Sequence, residues 1–257
     1  MIDTHCHLDQ FPPETLAEML EGNFDRGLTA VVAPAMGEAS LEKLLALGRR
    51  WPGRVFPAAG VHPERPMTGE TLAEARRITA WIAAHPREII AVGEVGLPYY
   101  SLGPGERIPE TAFAVLDVFL DCAAAWDLPV ILHAVHTSAQ PCLERLLDHG
   151  VRRAVFHWLK APEDVVGRIV EAGYYVSVTP EVTVLERDQR LTDLVPRDRL
   201  LLETDGPEPL RVPRRGSSSP LWVEDSLRFL AERWRMSRRE AEALLDGNAR
   251  RLFGMGL

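Results

Sequence analysis

Eight short apolar runs, each followed by a helix-sized segment, set the tightest limit on how this chain can fold. The runs lie at 2–5, 29–33, 55–60, 89–94, 130–133, 154–157, 174–178 and 200–203. Between them, segments such as 14–26, 41–51, 72–85, 111–126, 142–149 and 163–172 carry helical patterning. In 72–85, Leu72, Ala75, Ile78 and Ile82 recur at steps of three and four residues, which is one helix face. Pro86, Pro129, Pro162 and Gly173 punctuate the joints. After the first, the runs are almost continuously apolar, as parallel strands are when both faces are covered. Strand–helix alternation repeated eight times predicts a closed parallel (β/α)8 barrel rather than an open sheet. Such barrels reach ~250 residues as one unit, so residues 1–257 are expected to form a single barrel domain.

Charge and composition narrow the function. With 29 Lys and Arg against 37 Asp and Glu, the formal net charge is −8, and 46% of residues are apolar. This is ordinary globular composition. No apolar run approaches the ~18 residues of a membrane span, and no basic-then-apolar leader opens the chain. A cytoplasmic protein with no membrane association and no obligate protein partner is expected. An acidic chain does not wrap nucleic acid by bulk attraction, but it can act on phosphates if metals supply the positive charge. Cys6, Cys122 and Cys142 are too few and too scattered for a disulfide framework or a Cys-based zinc site.

The polar residues fall at one end of the runs. His5 and His7 close the first, His62 follows the third, and Glu94 closes the fourth. His133 closes the fifth, His157 the sixth, and Asp205 follows the eighth. Core packing does not readily generate seven such residues at the C-terminal ends of six strands, the end where barrel enzymes place their chemistry. His5 and His7, two residues apart, project to the same face of an extended strand and can reach one metal ion. Imidazole and carboxylate donors suit Zn²⁺, Mn²⁺ or Fe, whereas Mg²⁺ favours oxygen. The two longest loops also follow strand ends. One, after Glu94, carries Pro98, Tyr99 and Tyr100; the other, after Asp205, carries Arg211, Arg214 and Arg215.

Several segments in order resemble the TatD family of metal-dependent deoxyribonucleases, within the amidohydrolase-like TIM barrels. They are Met1-Ile-Asp-Thr-His-Cys-His-Leu-Asp9, Gly60-Val-His-Pro63, Gly93-Glu-Val-Gly-Leu97, Pro129-Val-Ile-Leu-His133, Phe156-His157, Glu203-Thr-Asp205 and Asn248-Ala-Arg-Arg-Leu-Phe253. The resemblance covers the whole chain and implies a (β/α)8 TIM barrel of the metal-dependent hydrolase type. It also implies two divalent metal ions (Zn, Mn or Mg), with His5, His7 and Asp205 on one, His133 and His157 on the other, and Glu94 bridging. The implied reaction is hydrolysis of phosphodiester bonds in DNA, single-stranded or at 3′ ends, with Asp205 as general base.

Departures from the family pattern touch the substrate side. Gly96-Leu97-Pro98 stands where Gly-Leu-Asp is common, and His136 stands where an Arg is frequent. His157-Trp-Leu-Lys160 replaces His-Cys-Phe, and Ser177-Val-Thr-Pro180 replaces a glycine-containing turn. None removes an implied metal ligand. His62 either contacts a substrate phosphate or braces its loop; His136 either binds phosphate or caps the following helix. Trp158 and Lys160 can stack on a base and hold a phosphate, or simply pack at the rim. His85 and His149 are expected to complement helix dipoles. The Arg211, Arg214 and Arg215 cluster reads as a solvated loop or as a phosphate contact. A hydrolase of the same architecture acting on a non-nucleic ester, lactone or amide is the competing reading, favoured by the net charge of −8. A non-catalytic metal-binding module has no need of an open two-metal centre.

Overall fold

The computed structural model describes residues 1–213 and 218–256. Its eight strands are β1 (Ile2–Asp3), β2 (Ala30–Pro34), β3 (Val55–Ala59), β4 (Ala91–Gly96), β5 (Val130–His133), β6 (Ala154–Phe156), β7 (Tyr175–Val178) and β8 (Leu200–Leu202). They pair in parallel in sequence order. The ring is drawn together between β8 and β1: the Thr4 N–H donates to the Leu202 carbonyl at 2.9 Å, and the Asp205 N–H donates to the His5 carbonyl at 2.9 Å. The helices are α1 (Pro13–Asp25), α2 (Glu38–Arg50), α3 (Gly69–Ala84), α4 (Glu110–Trp126), α5 (Ala139–Asp148), α6 (Glu163–Glu171), α7 (Glu186–Leu194), α8 (Val223–Trp234) and α9 (Arg238–Phe253). The expected TIM barrel is therefore observed, and no helix among the described residues is long and apolar enough to cross a membrane.

Two apolar layers organise the molecule. Ile2, Val32, Ala58, Ala91, Ile131, Val155, Tyr175 and Leu201, one from each strand, share an inner cluster with Leu252 and Phe253 of α9. Their neighbours, such as Val31, Val92, Val130, Leu132 and Phe156, belong to the outer layer beneath the helices. Strand side chains alternate faces, so two residues beyond Ile131, Val155 and Leu201 come His133, His157 and Glu203. The inner apolar floor thus gives way to a polar layer at the C-terminal end. At the opposite end α9 docks through Asn248, whose buried amide donates to the carbonyls of Arg197 and Leu200 at 2.7 and 2.8 Å.

Two strand ends depart from the expected pattern. Residues 89–94 are expected to form the fourth strand with Glu94 at its end, yet β4 runs over Ala91–Gly96 and Glu94 lies inside it. By simple alternation from Ala91, Glu94 belongs on the outer face. The ladder with β5 shifts between Val92 and Val95, and Glu94 sits fully buried among the histidines. The first strand stops at Asp3 rather than continuing to His5. There the Asp3 carboxylate takes the His5 N–H at 3.2 Å and the Thr204 N–H at 3.0 Å, tying the β1 terminus to β8. Helix α7 lies in a segment with no apolar stripe, and only Asp188, Leu191 and Thr192 of it are buried.

Candidate metal centre

Glu94 is the hub of the polar layer. Backbone approaches that tolerate no side chain hold its strand. A Cβ on Gly60 of the preceding loop would lie 2.5 Å from the Glu94 carbonyl oxygen, and one on Gly96 would lie 2.0 Å from the His133 carbonyl oxygen. Glycine is the residue that permits such contact. Around the buried carboxylate stand His5, His7, His62, His133, His157 and Asp205, so the seven residues picked out in the sequence converge at one barrel mouth.

The two carboxylate oxygens of Glu94 face different partners. Oε2 lies 3.2 Å from His5 Nε2 and 3.3 Å from His7 Nε2. These imidazole nitrogens are 3.2 Å apart, and each is 3.4 Å from Asp205 Oδ1. A tetrahedral ion with bonds of about 2.0–2.1 Å has ligand–ligand edges of about 3.3–3.4 Å, so the His5, His7 and Glu94 atoms are spaced as three ligands of such an ion. Oε1 lies 2.8 Å from His157 Nε2, 3.0 Å from His133 Nδ1 and 3.3 Å from His62 Nε2. Glu94 Oε2 and His157 Nε2 are buried without an aligned hydrogen bond, which is costly unless a cation fills the gap. The donor set thus fits divalent cations, and its imidazoles favour a transition metal over Mg²⁺.

Electrostatics agree. Burial disfavours charge on His7, but Asp205 and Glu94 outweigh it and push its pKa up to about 10. Burial likewise opposes charge on His157, yet Glu94 and Glu203 carry it well above the usual histidine value. Burial would raise the Glu94 carboxyl, but His62, His157 and His5 hold it well below the usual carboxylate range. Without metal, protons on imidazoles supply the positive charge that the carboxylates demand.

Two supporting carboxylates escaped the sequence reading. Glu203 is fully buried beneath the stacked rings of His5 and His157, whose centroids are 3.9 Å apart. Its Oε2 lies 4.0 Å from His5 Nδ1 and 3.7 Å from His157 Nδ1. A carboxylate on that side favours the Nδ1–H tautomer and leaves each Nε2 for a cation. The Glu203-Thr-Asp205 segment was visible as a motif, but alternation from Leu201 was the signal for its inward face. Glu64 lies 3.0 Å from His133 Nε2 through Oε1, leaving Nδ1 toward Glu94. Its two oxygens also accept the N–H groups of Tyr99, Tyr100 and Ser101 at 2.8, 3.0 and 2.7 Å. Glu64 therefore joins the loop after β4 to a candidate ligand on β5, a link across three segments that no local pattern reveals.

The remaining sequence candidates line the mouth. His62 sits within reach of Glu94, deeper than a purely substrate-side role requires. His136 does not cap the next helical turn, because Ser138 Oγ takes the Val135 N–H at 2.9 Å. Its ring instead packs on Tyr99, centroids 4.6 Å apart. Trp158 and Lys160 border a cavity of about 390 Å³ shared with His133, His157 and Asp205. Arg211 reaches an adjoining hollow, whereas Arg214 and Arg215 lie outside the described residues. His85 ends α3 with Nδ1 3.0 Å from the Trp81 carbonyl oxygen, and His149 pairs with Asp117 and Asp121 of α4. A larger hollow of about 660 Å³ opens at the other end of the barrel, beside Phe56 and Phe253, and holds none of these groups.

Comparison with known proteins agrees with this geometry. The family described as TatD related DNase matches residues 2–254. An uncharacterized metal-dependent hydrolase of Haemophilus influenzae is 34% identical over 208 residues, covering 80% of this chain and 81% of its own. The human deoxyribonuclease TATDN3 is 28% identical over 262 residues, covering 98% of this chain and 94% of its own. The crystal structure of YjjV, a TatD homolog from Escherichia coli, superposes with a TM-score of 0.86 at 28% identity, covering 99% of this chain and 98% of that one.

Proposed function

Because the chain belongs to the TatD related DNase family and is a metal-dependent hydrolase, we propose that it hydrolyses phosphodiester bonds of DNA, from single-stranded or 3′ ends, at a two-cation centre. The observation that carries this reading is the division of Glu94. One oxygen faces His5 and His7; the other faces His133 and His157. A carboxylate with imidazoles on both oxygens is suited to bridging two dications that would otherwise repel each other. His5, His7 and Asp205 would hold one ion, and His133 and His157 the second, with Zn²⁺ or Mn²⁺ preferred. When bound, the pair supplies Lewis acidity and a water acidic enough to attack at neutral pH.

The chain's own groups do the rest. Asp205 lies at the cavity wall with its side chain 14% exposed. Its Oδ1 faces His5 and His7, leaving Oδ2 to take the proton of the attacking water as that oxygen bonds to phosphorus; the ester P–O bond breaks and the departing oxygen takes a proton from solvent. Glu203 and Glu64 hold the imidazoles in register. His62, His136, Trp158 and Lys160 surround the substrate side. Three free, buried cysteines suit a reducing compartment, and we place the protein in the cytoplasm.

The test is metal analysis of the purified protein beside hydrolysis of 3′-labelled single-stranded DNA, a generic phosphodiester, and neutral esters and lactones. Two ions per chain with release of nucleotides from the labelled end is the expected result. Cleavage of esters or lactones but of neither phosphodiester, with both ions bound, overturns the DNA reading in favour of the competing substrate class, to which the net charge of −8 also points.

A further inference from the structure

Three of the residues that depart from the family pattern, His136, Trp158 and Lys160, line one hollow at the mouth. Beyond His133 and His157, β5 and β6 resume pairing through a parallel bridge between Val135 and Lys160. This carries Trp158 and Lys160 out over the cavity. Trp158 adopts a left-handed backbone conformation, φ 37°, uncommon for a bulky residue. The Lys160 ammonium then lies 3.8 Å from the centre of the Trp158 ring and 5.7 Å from that of Tyr100, and it donates to the Tyr100 hydroxyl at 3.2 Å.

What this half-buried ammonium lacks is a counter-ion. Among the described residues no carboxylate lies within ion-pair distance of it; Asp205, Glu181 and Asp188 act on it only through space. Two arginines line the adjoining hollow with Lys160: Arg187, paired with Asp188 at 2.6 Å, and Arg211. Glu208 lines the same cavity without reaching Lys160. The Trp158 indole N–H is likewise buried without an acceptor. A cation and a donor left unmatched between two aromatic rings form a subsite for an anionic group flanked by a stackable base. The cavity they share with His133, His157 and Asp205 measures about 390 Å³, roughly 9 Å across if taken as a sphere. That is room for one nucleotide unit between these walls, with further hollows adjoining.

We propose that Lys160, framed by Trp158 and Tyr100, binds the phosphate adjacent to the scissile one, so that the enzyme selects strand ends bearing at least two consecutive phosphates over isolated phosphodiesters. This rests on the phosphodiesterase reading and names the substrate feature that reading leaves open.

The test is a charge-deletion cycle on the metal-loaded enzyme with the trinucleotide dTpTpT. Its partner substrate carries a neutral methylphosphonate at the linkage that is not cut first. Removing the substrate charge should raise the wild-type KM about tenfold to a hundredfold, the worth of one charge-assisted hydrogen bond. K160M should show the same loss on native dTpTpT and no further loss on the methylphosphonate, while K160R recovers most of the native KM. The loss on bis(p-nitrophenyl) phosphate, which has no second phosphate, should be far smaller in K160M than the loss on dTpTpT. Additive losses, equal losses on all substrates, or no loss at all overturn the subsite. The same cycle, run as equilibrium binding, reads Lys160 whether or not the linkage is cut. A trinucleotide that binds in a Lys160-dependent way yet stays intact therefore overturns phosphodiester hydrolysis and leaves the subsite standing. Wild-type protein that does not bind it overturns the subsite.

Discussion

At Glu94 a single side chain answers to two sets of imidazoles, and Asp205 stands where proton transfer and cation binding meet. The two residues should therefore fail differently. Glu94→Gln preserves shape but removes the charge that balances two adjacent cations. It should keep the fold, lose one of the two ions and lose most activity; unchanged metal stoichiometry with full activity would remove Glu94 from the bridging role. Asp205→Asn keeps one oxygen toward His5 and His7 but cannot accept a proton. A general base contributes about 10²–10⁴-fold, so kcat should fall by at least about a hundredfold with little change in KM. The assay needs saturating Mn²⁺ or Zn²⁺, with occupancy measured, because the lost charge also weakens the site. A fall of less than about tenfold at full occupancy excludes Asp205 as the base.

At the scale of elements, the site is anchored by the barrel: Glu94 and His133 lie in β4 and β5, and the other donors follow the ends of β1, β3, β6 and β8. Strand β8 is short, three residues, and its N-terminal end depends on α9. The buried Asn248 amide serves the carbonyls of Arg197 and Leu200 together. Asn248→Ala leaves both acceptors without it, and unsatisfied buried groups cost about 1–3 kcal/mol each. A loss of about 2–3 kcal/mol in stability is expected, read as a lower urea midpoint with unchanged slope. Metal stoichiometry and kcat per folded molecule should stay near wild type, since Asn248 lies at the end of the barrel remote from the cavity. A variant of normal stability but poor activity would contradict this division of labour.

Across the whole molecule, cation binding and folding are linked, because the donors come from β4, β5 and the ends of β1, β3, β6 and β8. An ion bound only by the folded state stabilises it by mass action. It must displace protons to do so. In the metal-free protein His7 has its pKa raised to about 10, and His133 and His157 are also raised, whereas burial and His157 lower that of His5. A histidine raised in the folded state contributes stability fully present below its unfolded value of about 6.5. That contribution is lost as pH rises through the folded value. Glu94 and Asp205 are lowered, so their contribution is lost only at acid pH, outside this window. The metal-free protein should therefore lose thermal stability between pH 6.5 and about 10, and the Tm gap to the metal-loaded form should widen. Thermal scans of chelated and loaded protein at both ends of that range decide it; a constant or shrinking gap contradicts the linkage.

The alternation of apolar runs and helical segments, and the gathering of His5, His7, Glu94, His133, His157 and Asp205 toward one end of the barrel, were legible in the chain itself. Both are local: periodicity within a segment reports which face is buried, and the place where a run stops reports which end of the barrel a residue joins. Helix α7 was not legible, because so few of its residues are buried that its sequence carries no stripe. The tertiary structure alone decided the inward turn of Glu94, which depends on the ladder shift against β5. It alone placed Glu203 beneath His5 and His157, and set Glu64 between the loop after β4 and His133. It alone left Lys160 facing Trp158 and Tyr100 with no carboxylate among the described residues at ion-pair distance. Each of these is a relation between segments distant in sequence. Distances of that kind are fixed by strand register and ring closure, which no single segment encodes.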